Sequence, residues 1–374
     1  MRRTILFTFI IIAYMTTFRC GEKPVTYTEE IVDGVRHVHN ISPLWGDEER
    51  IGLEFIQKIG ELEGDDENYQ FYHPIDVARD REENTYILDQ GNNRIQKYDQ
   101  EGRYLATIGN KGQGPGEFEF PFDFELDSYG NIYVLQIPGK IQKLDPYGKY
   151  IETIIAPFNT GSFRILSNND LMCFNYISIT ETDEKLRLFN IISPTGELIR
   201  EFGIPKKLSM GLKAGMINSL YFDLDEEENI YAGFIKQNRF EKYDINGNLI
   251  FRMDRVLNYM LTQEEHENEM ELRGEMIRYP SMKFTTVAYF SGIDHNGKLW
   301  ETFRKKQIPE GVKIIDDNRN EFNEIRIYND EGIFLSSLPS GRIKQGSIRI
   351  INNRLYSIDM VNEMCVYEYR IVEK

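Results

Sequence analysis

The stretch Ile75–Gly109, IDVARDREENTYILDQGNNRIQKYDQEGRYLATIG, divides into four short runs, Ile75 to Arg79, Thr85 to Asp89, Ile95 to Asp99 and Tyr104 to Ile108. Its turns, between the first and second runs and between the third and fourth, hold Asn, Asp and Gly. These residues tolerate left-handed backbone or bond to it locally. The spacing predicts four short antiparallel strands.

Working outward, the Tyr98-Asp99-x-x-Gly102 step of this stretch returns along the chain. Copies stand at Leu144-Asp145…Gly148, Ile192-Ser193…Gly196, Tyr243-Asp244…Gly247, Tyr328-Asn329…Gly332 and a degenerate Tyr367-Glu368. A second landmark, an Asp turn into a strand, runs from Asp80 to Tyr86, Asp127 to Tyr133, Asp225 to Tyr231 and Asp294 to Trp300, with weaker copies ending at Met172 and Tyr356. One such unit cannot bury its own apolar face, so the copies must pack on one another. Six units of four antiparallel strands predict an all-β fold, a six-bladed β-propeller.

The sixth unit is incomplete, because only six residues follow Glu368. Phe55 to Gly60 has no blade of its own and mirrors Tyr104 to Gly109. The expectation is that this N-terminal strand supplies the missing fourth strand, closes the ring and removes a sheet edge. The propeller then spans 51–374, preceded by an extension over 21–50 and a leader over 1–20.

A 374-residue chain with 41% hydrophobic residues is long enough for one large core, and the repeats argue for a single ring. Its 13% aromatic content suits half-buried pleated surfaces. The formal charge of −16 opposes phosphate backbones, so nucleic acid is excluded as a partner class.

The first residues have the grammar of an export signal: Arg2 and Arg3, an apolar run from Ile5 to Met15, a polar stretch, then Cys20. The apolar run falls short of the roughly 20 residues that span a bilayer. Cys20 with Gly21-Glu22-Lys23-Pro24 resembles a bacterial lipoprotein site, which implies lipidation at Cys20 and membrane contact through that anchor alone. Phe18 and Arg19 stand where small residues are usual, which leaves simple secretion or a signal anchor as the other expectations. Loss of the leader removes three arginines and takes the charge from −16 to −19. Cys173 and Cys365 fall in the third and sixth units, on opposite sides of the ring and well beyond the ~7 Å between Cα atoms that a disulfide bridges. Two buried free thiols are predicted.

Tyr86-Ile87-Leu88-Asp89, Gly91-Asn92-Asn93-Arg94-Ile95-Gln96-Lys97-Tyr98-Asp99 and Gly112-Gln113-Gly114-Pro115-Gly116-Glu117-Phe118…Pro121 resemble the NHL-repeat pattern, most clearly over residues 71–155. With the leader and the segment His39-Asn40…Pro43-Leu44-Trp45-Gly46, the chain is similar to exported six-bladed propeller lipoproteins of Gram-negative bacteria. The resemblance implies a fold and a periplasmic or outer-membrane location, without an established chemistry.

Strand parity gives a functional clue. In a four-stranded blade, connections from strand two to three and from strand four to the next blade emerge on one face. The long segments 110–120, 204–218, 254–285, 175–186 and 304–323 are all of these kinds. Loops carrying function gather on one side of a rigid scaffold, so the binding surface is expected there. Within the largest, Thr262-Gln263-Glu264-Glu265 matches a capping box and Pro280 a stop, which predicts one helical insertion over about 256–282.

Signatures of chemistry are sparse. Gly112-x-Gly114-x-Gly116 lacks the Gly-Lys-Ser/Thr ending of a phosphate loop and reads as an inter-blade turn. Asp225-Glu226-Glu227-Glu228 reads as a solvated turn rather than a calcium site. His37 and His39 share a strand face but supply two ligands where zinc catalysis typically uses three. What remains is the channel lined by the innermost strands, where Asp76, Asp123, Arg164 and Tyr221 occupy matching stretches and Phe290 and Arg349 lie near the corresponding positions. The favoured reading is a non-catalytic, envelope-located binding or scaffold module without a cofactor, contacting a protein, peptide or glycan through its looped face. The alternative is a metal-dependent, lactonase-like hydrolase or lyase acting on a small polar substrate in the channel. It requires a divalent cation held by three or four converging side chains.

Overall fold

A computed structural model describes residues 24–136, 139–175, 186–206, 216–272, 275–309, 311–314, 318–344 and 346–374, with the backbone alone over 263–283. Cys20 and the leader lie outside the described residues.

The chain begins with β1 (Tyr27–Val32), β2 (Val35–Asn40) and β3 (Ile51–Ile59). Blade one holds β4 (Pro74–Arg79), β5 (Thr85–Asp89), β6 (Arg94–Tyr98) and β7 (Tyr104–Ile108). Blade two holds β8 (Pro121–Leu126), β9 (Ile132–Gln136), β10 (Lys140–Leu144) and β11 (Tyr150–Ile155). Blade three holds β12 (Thr160–Ile165), β13 (Leu171–Asn175), β14 (Phe189–Ile192) and β15 (Leu198–Phe202). Blade four holds β16 (Leu220–Leu224), β17 (Ile230–Phe234), β18 (Phe240–Tyr243) and β19 (Leu249–Asp254). A separate hairpin, β20 (Gln263–Leu272) and β21 (Glu275–Phe284), precedes blade five, which holds β22 (Ala288–Ile293), β23 (Leu299–Arg304), β24 (Asn323–Tyr328) and β25 (Phe334–Pro339). Blade six takes β26 (Ser347–Ile351), β27 (Arg354–Asp359) and β28 (Cys365–Glu373) from the C-terminus and β3 from the N-terminus. The protein is a six-bladed β-propeller with four-stranded blades.

The closure is as the mirrored sequence predicts. β3 pairs antiparallel with β28 from Val366↔Ile59 to Glu373↔Ile51, and Phe55 meets the Tyr369 ring edge-on at 5.7 Å. The extension before it does more than lead in. β1 and β2 form a hairpin whose β2 runs parallel to β19, widening blade four to six strands. Leu44 and Trp45 then donate to the Phe334 and Leu335 carbonyls of blade five. The N-terminal segment therefore ties blades four, five and six together before the ring begins.

Both sequence landmarks are turn devices. Asp80, Asp127, Asp225, Asp294, Asp99 and Asp145 each accept, through Oδ1, the N–H groups two and four residues on. The residue three on adopts positive φ, as at Gly102 (75°) and Gly130 (81°), which is why glycine recurs there. The strand aromatic six residues on bonds back, from the Tyr86 and Tyr231 hydroxyls at 3.1 Å and from Trp300 Nε1 at 2.9 Å. The Asp225 run and the Gly112–Gly116 segment are likewise turns, the latter fixed by the Gly116 N–H donating to Gln142 Oε1 at 2.8 Å.

Apolar packing lies between neighbouring sheets. Leu88 and Ile95 of blade one, with Phe118 of the connection that follows it, pack with Phe124, Val134 and Leu144 of blade two. Cys173 and Cys365 are free and buried in blades three and six. Connections between strands one and two of the first five blades, and between their strands three and four, are five residues each. Within the ring every longer connection is of the other two kinds, so the strand ends that flank them lie on one face; most of 175–186 and of 204–218 is outside the described residues.

The helical insertion is corrected by the structure. β20 and β21 pair antiparallel over their full length, from Gln263↔Phe284 to Leu272↔Glu275. Thr262 does not cap a helix; its N–H and hydroxyl meet the Thr285 hydroxyl at 3.0 and 2.8 Å across the hairpin base. The capping-box match outweighed a contrary pattern in the same segment. Glutamates at 265, 267, 269 and 271 recur with period two, a strand's period.

Candidate functional site

The six inner strands β4, β8, β12, β16, β22 and β26 surround a cavity of about 610 Å³. Its walls include Asp76, Asp123, Arg164, Tyr221, Tyr289 and Arg349, and its mouth includes Arg319, Asn323 and Asp359 to Asn362, which belong to the looped face or to strand ends facing it. No five-residue turn of the opposite face contributes to the lining. The cavity is a cup opening toward the long connections.

Strand register resolves the lining into two tiers. Asp76, Asp123, Ser162, Tyr221, Tyr289 and Ser347 pair with Leu88, Leu135, Phe174, Gly233, Thr302 and Ile358, the corresponding places of the six second strands. Two places deeper stand Ala78, Glu125, Arg164, Asp223, Gly292 and Arg349, opposite Tyr86, Tyr133, Met172, Tyr231, Trp300 and Tyr356. Asp76, Asp123 and Tyr221 thus share one register position, whereas Arg164 belongs one tier below them. Phe290 touches the cavity but stands in neither tier. It is buried edge-on against Phe240 at 5.2 Å, and Tyr289 takes the position facing the shaft.

The deeper tier is a ring of alternating charge. Arg164 Nη1 lies 2.8 Å from Glu125 Oε1 and its Nε 3.2 Å from Asp223 Oδ1. Arg349 Nη2 lies 3.0 Å from the same Glu125 oxygen. Arg164 also donates to the Phe163 and Phe222 carbonyls at 2.7 and 3.2 Å, so its guanidinium is fixed from three inner strands. Gly292 lets the Asp223 carboxylate approach, for a Cβ there would stand 3.1 Å from Asp223 Oδ2. These groups floor the cup.

The upper tier carries two carboxylates and a pair of aromatic rings. Asp123 Oδ2 accepts the Phe163 N–H at 2.9 Å and lies 3.9 Å from Arg164 Nη1. Asp76 Oδ1 accepts the Val77 N–H at 2.9 Å and lies 3.9 Å from Arg349 Nε. Burial pushes the Asp123 carboxyl well above the usual range and raises Glu125 too, with Arg164 opposing in both cases. Burial works against the Arg349 charge, yet Asp76 and Glu125 beside it raise its pKa overall. Tyr221 and Tyr289, 48% and 39% exposed, face each other at 6.1 Å between ring centres. Such half-exposed rings can stack on a ligand's apolar face while the carboxyl oxygens of the same tier accept its hydroxyl or ammonium hydrogens.

This arrangement does not suit a divalent cation. The deeper carboxylates are already bonded to arginine, and among the described residues no group of three or more His, Cys, Asp or Glu side chains is placed to hold a metal. His39 is engaged elsewhere, on the outer edge of blade four, between Asp254 Oδ2 at 3.1 Å and Glu30 Oε1 at 3.2 Å.

Glu125, Asp223 and Tyr289 were not singled out from the sequence. A signal for the first two was present: Asp123-Phe124-Glu125, Ser162-Phe163-Arg164, Tyr221-Phe222-Asp223 and Ser347-Ile348-Arg349 share one polar-apolar-polar alternation, which on a strand sends both polar residues to one face.

The family DUF5128, described as a 6-bladed beta-propeller, matches over residues 61–226. A crystal structure of a putative exported protein from Bacteroides fragilis is similar at 13% identity and a TM-score of 0.57, over 87% of this chain and 95% of that one. A member of the DUF4221 family from Bacteroides vulgatus is similar at 10% identity and a TM-score of 0.56, over 87% and 99%. At such identities the likeness concerns the fold. Among curated proteins none matches the chain.

Proposed function

We propose that this protein is a non-catalytic binding module of the bacterial envelope, taking its ligand in the cup at the mouth of the propeller shaft. The observation that carries this reading is the two-tier lining. The deeper charges pair with one another, while the Tyr221 and Tyr289 rings and the Asp76 and Asp123 carboxyl groups above them face the cavity. A rigid ring holds these groups in place before the ligand arrives, which lowers the entropic cost of binding. The ligand is a peptide or glycan segment small enough for the cup.

The envelope location rests on the leader, with Arg2, Arg3, the apolar run from Ile5 to Met15 and Cys20 as the acceptor of a lipid anchor. A protein of the same fold described as a putative exported protein agrees with this reading. NHL-like repeats account for the blades and leave the ligand open.

Calorimetric titration with fractionated envelope glycans and peptides tests the site. A fraction that binds the wild type should lose affinity by about tenfold or more in Tyr221→Ala/Tyr289→Ala, since each stacked ring contributes on the order of 1 kcal/mol. Undiminished binding by that double variant would place the site elsewhere.

A further inference from the structure

A second polar cluster lies on the rim between blades four and five. Lys236 belongs to the β17–β18 connection, Arg304 ends β23, and Tyr259 follows β19. Backbone bonds align the first two, the Val287 N–H donating to the Ile235 carbonyl at 2.7 Å and the Arg304 N–H to the Val287 carbonyl at 2.8 Å, and the Arg304 charge acts on the Tyr259 hydroxyl. Lys236 Nζ donates to Thr286 Oγ1 at 2.5 Å.

The cluster is short of negative charge in a chain whose net charge is −16. Among the described residues, neither Lys236 nor Arg304 has a carboxylate partner. The nearby acids are committed, Glu301 to Arg255 at 2.8 Å and to the Tyr328 hydroxyl at 2.7 Å, and Glu324 to Arg326 at 2.6 Å. Arg304 Nη1 and the Tyr259 hydroxyl are buried atoms without a hydrogen-bond partner. Leaving two such groups unsatisfied is costly unless something binds them.

We propose that Lys236, Arg304 and Tyr259 seat an oxyanion, namely a carboxylate, sulfate or phosphate group, on the rim of the shaft. The ammonium supplies a point charge, the guanidinium a forked donor and the phenol a third hydrogen, a combination that fits several oxygens sharing one negative charge. Burial, followed by the charge of Arg304, already pushes the Lys236 ammonium below the usual lysine value, and burial lowers Arg304 as well. An arriving anion relieves that strain between like charges. The seat does not depend on what fills the cup, because inorganic ions suffice to probe it.

The test is calorimetric titration and thermal melting of the full chain with inorganic phosphate, sulfate or acetate, against chloride at equal ionic strength. At least one oxyanion should bind with one-to-one stoichiometry and raise the melting temperature above the chloride control. Phosphate or sulfate without acetate identifies a tetrahedral group, and acetate alone identifies a carboxylate. Lys236→Gln and Arg304→Gln should each weaken binding about tenfold or more, with folding checked by the melt in chloride. If Arg304→Gln does not fold, Lys236→Gln decides. No titration by any oxyanion in the wild type, or unchanged affinity in Lys236→Gln, overturns the proposal while leaving the cup untouched.

Discussion

Arg349 Nη2 stands 3.0 Å from Glu125 Oε1, joining the inner strand of blade six to that of blade two. The intervening member of the tier, on blade one, is Ala78, whose short side chain leaves room for the two to meet. Both partners are mostly buried, so removing one leaves an uncompensated charge out of water. Arg349→Met should cost about 3 kcal/mol in urea unfolding. The loss should be larger at pH 8 than at pH 5, because Glu125 without that cation is harder to keep ionised.

Asp123 predicts a pH effect of opposite origin. Its folded pKa is raised by burial, so its contribution is fully present below the unfolded value and is lost as pH rises through the folded one. Asp123→Asn cannot ionise and can still accept the Phe163 N–H. Melting temperatures between about pH 4 and pH 8 should fall less for this variant than for the wild type, with the variant at least as stable at neutral pH. A steeper fall in the variant would contradict the assignment.

Gly292→Ala tests the floor of the cup. The backbone there has φ +131°, and an added Cβ would stand 3.0 Å from the Ile350 carbonyl oxygen as well as against Asp223. A loss of about 2 kcal/mol is expected from the backbone conformation and the crowding together. Chemical denaturation measures it, and a neutral result would show that the floor yields easily.

The ring closure predicts a severe truncation effect. Deleting the chain through Gly60 removes β3 and leaves β28 with an open edge of unpaired backbone groups. The shortened protein should fail to elute as a folded monomer in size-exclusion chromatography. A monomeric product with a cooperative melt would mean that β3 is dispensable.

Much of the architecture was legible because turn chemistry is local. Asp80, Asp99 and their counterparts bond within their own turns, so their spacing reports the strands directly. The missing fourth strand of blade six was legible as well, since Phe55 to Gly60 repeats an outer-strand sequence. The site was legible only in part. Asp76, Asp123 and Tyr221 follow from aligning the repeats, but the depth of Arg164 depends on register around bulges beside Asp76, Asp123 and Ser162, which no spacing rule supplies. The hairpin over 263–284 was misread because glutamates favour helix starts locally, while pairing with β21 is decided by the partner strand. The Lys236–Arg304 seat joins residues far apart in the chain, and nothing in the sequence marks them as neighbours.

Metal analysis is the most direct test of the proposal that the cup, whose deeper acids are paired with arginine, takes its ligand without an ion. Elemental analysis of the purified protein, followed by calorimetric titration with calcium and zinc, should find no stoichiometric ion and no saturable binding in the shaft. One calcium or zinc per chain that survives purification, and is lost in Asp76→Asn/Asp123→Asn, would contradict the account and favour a metal-dependent enzyme.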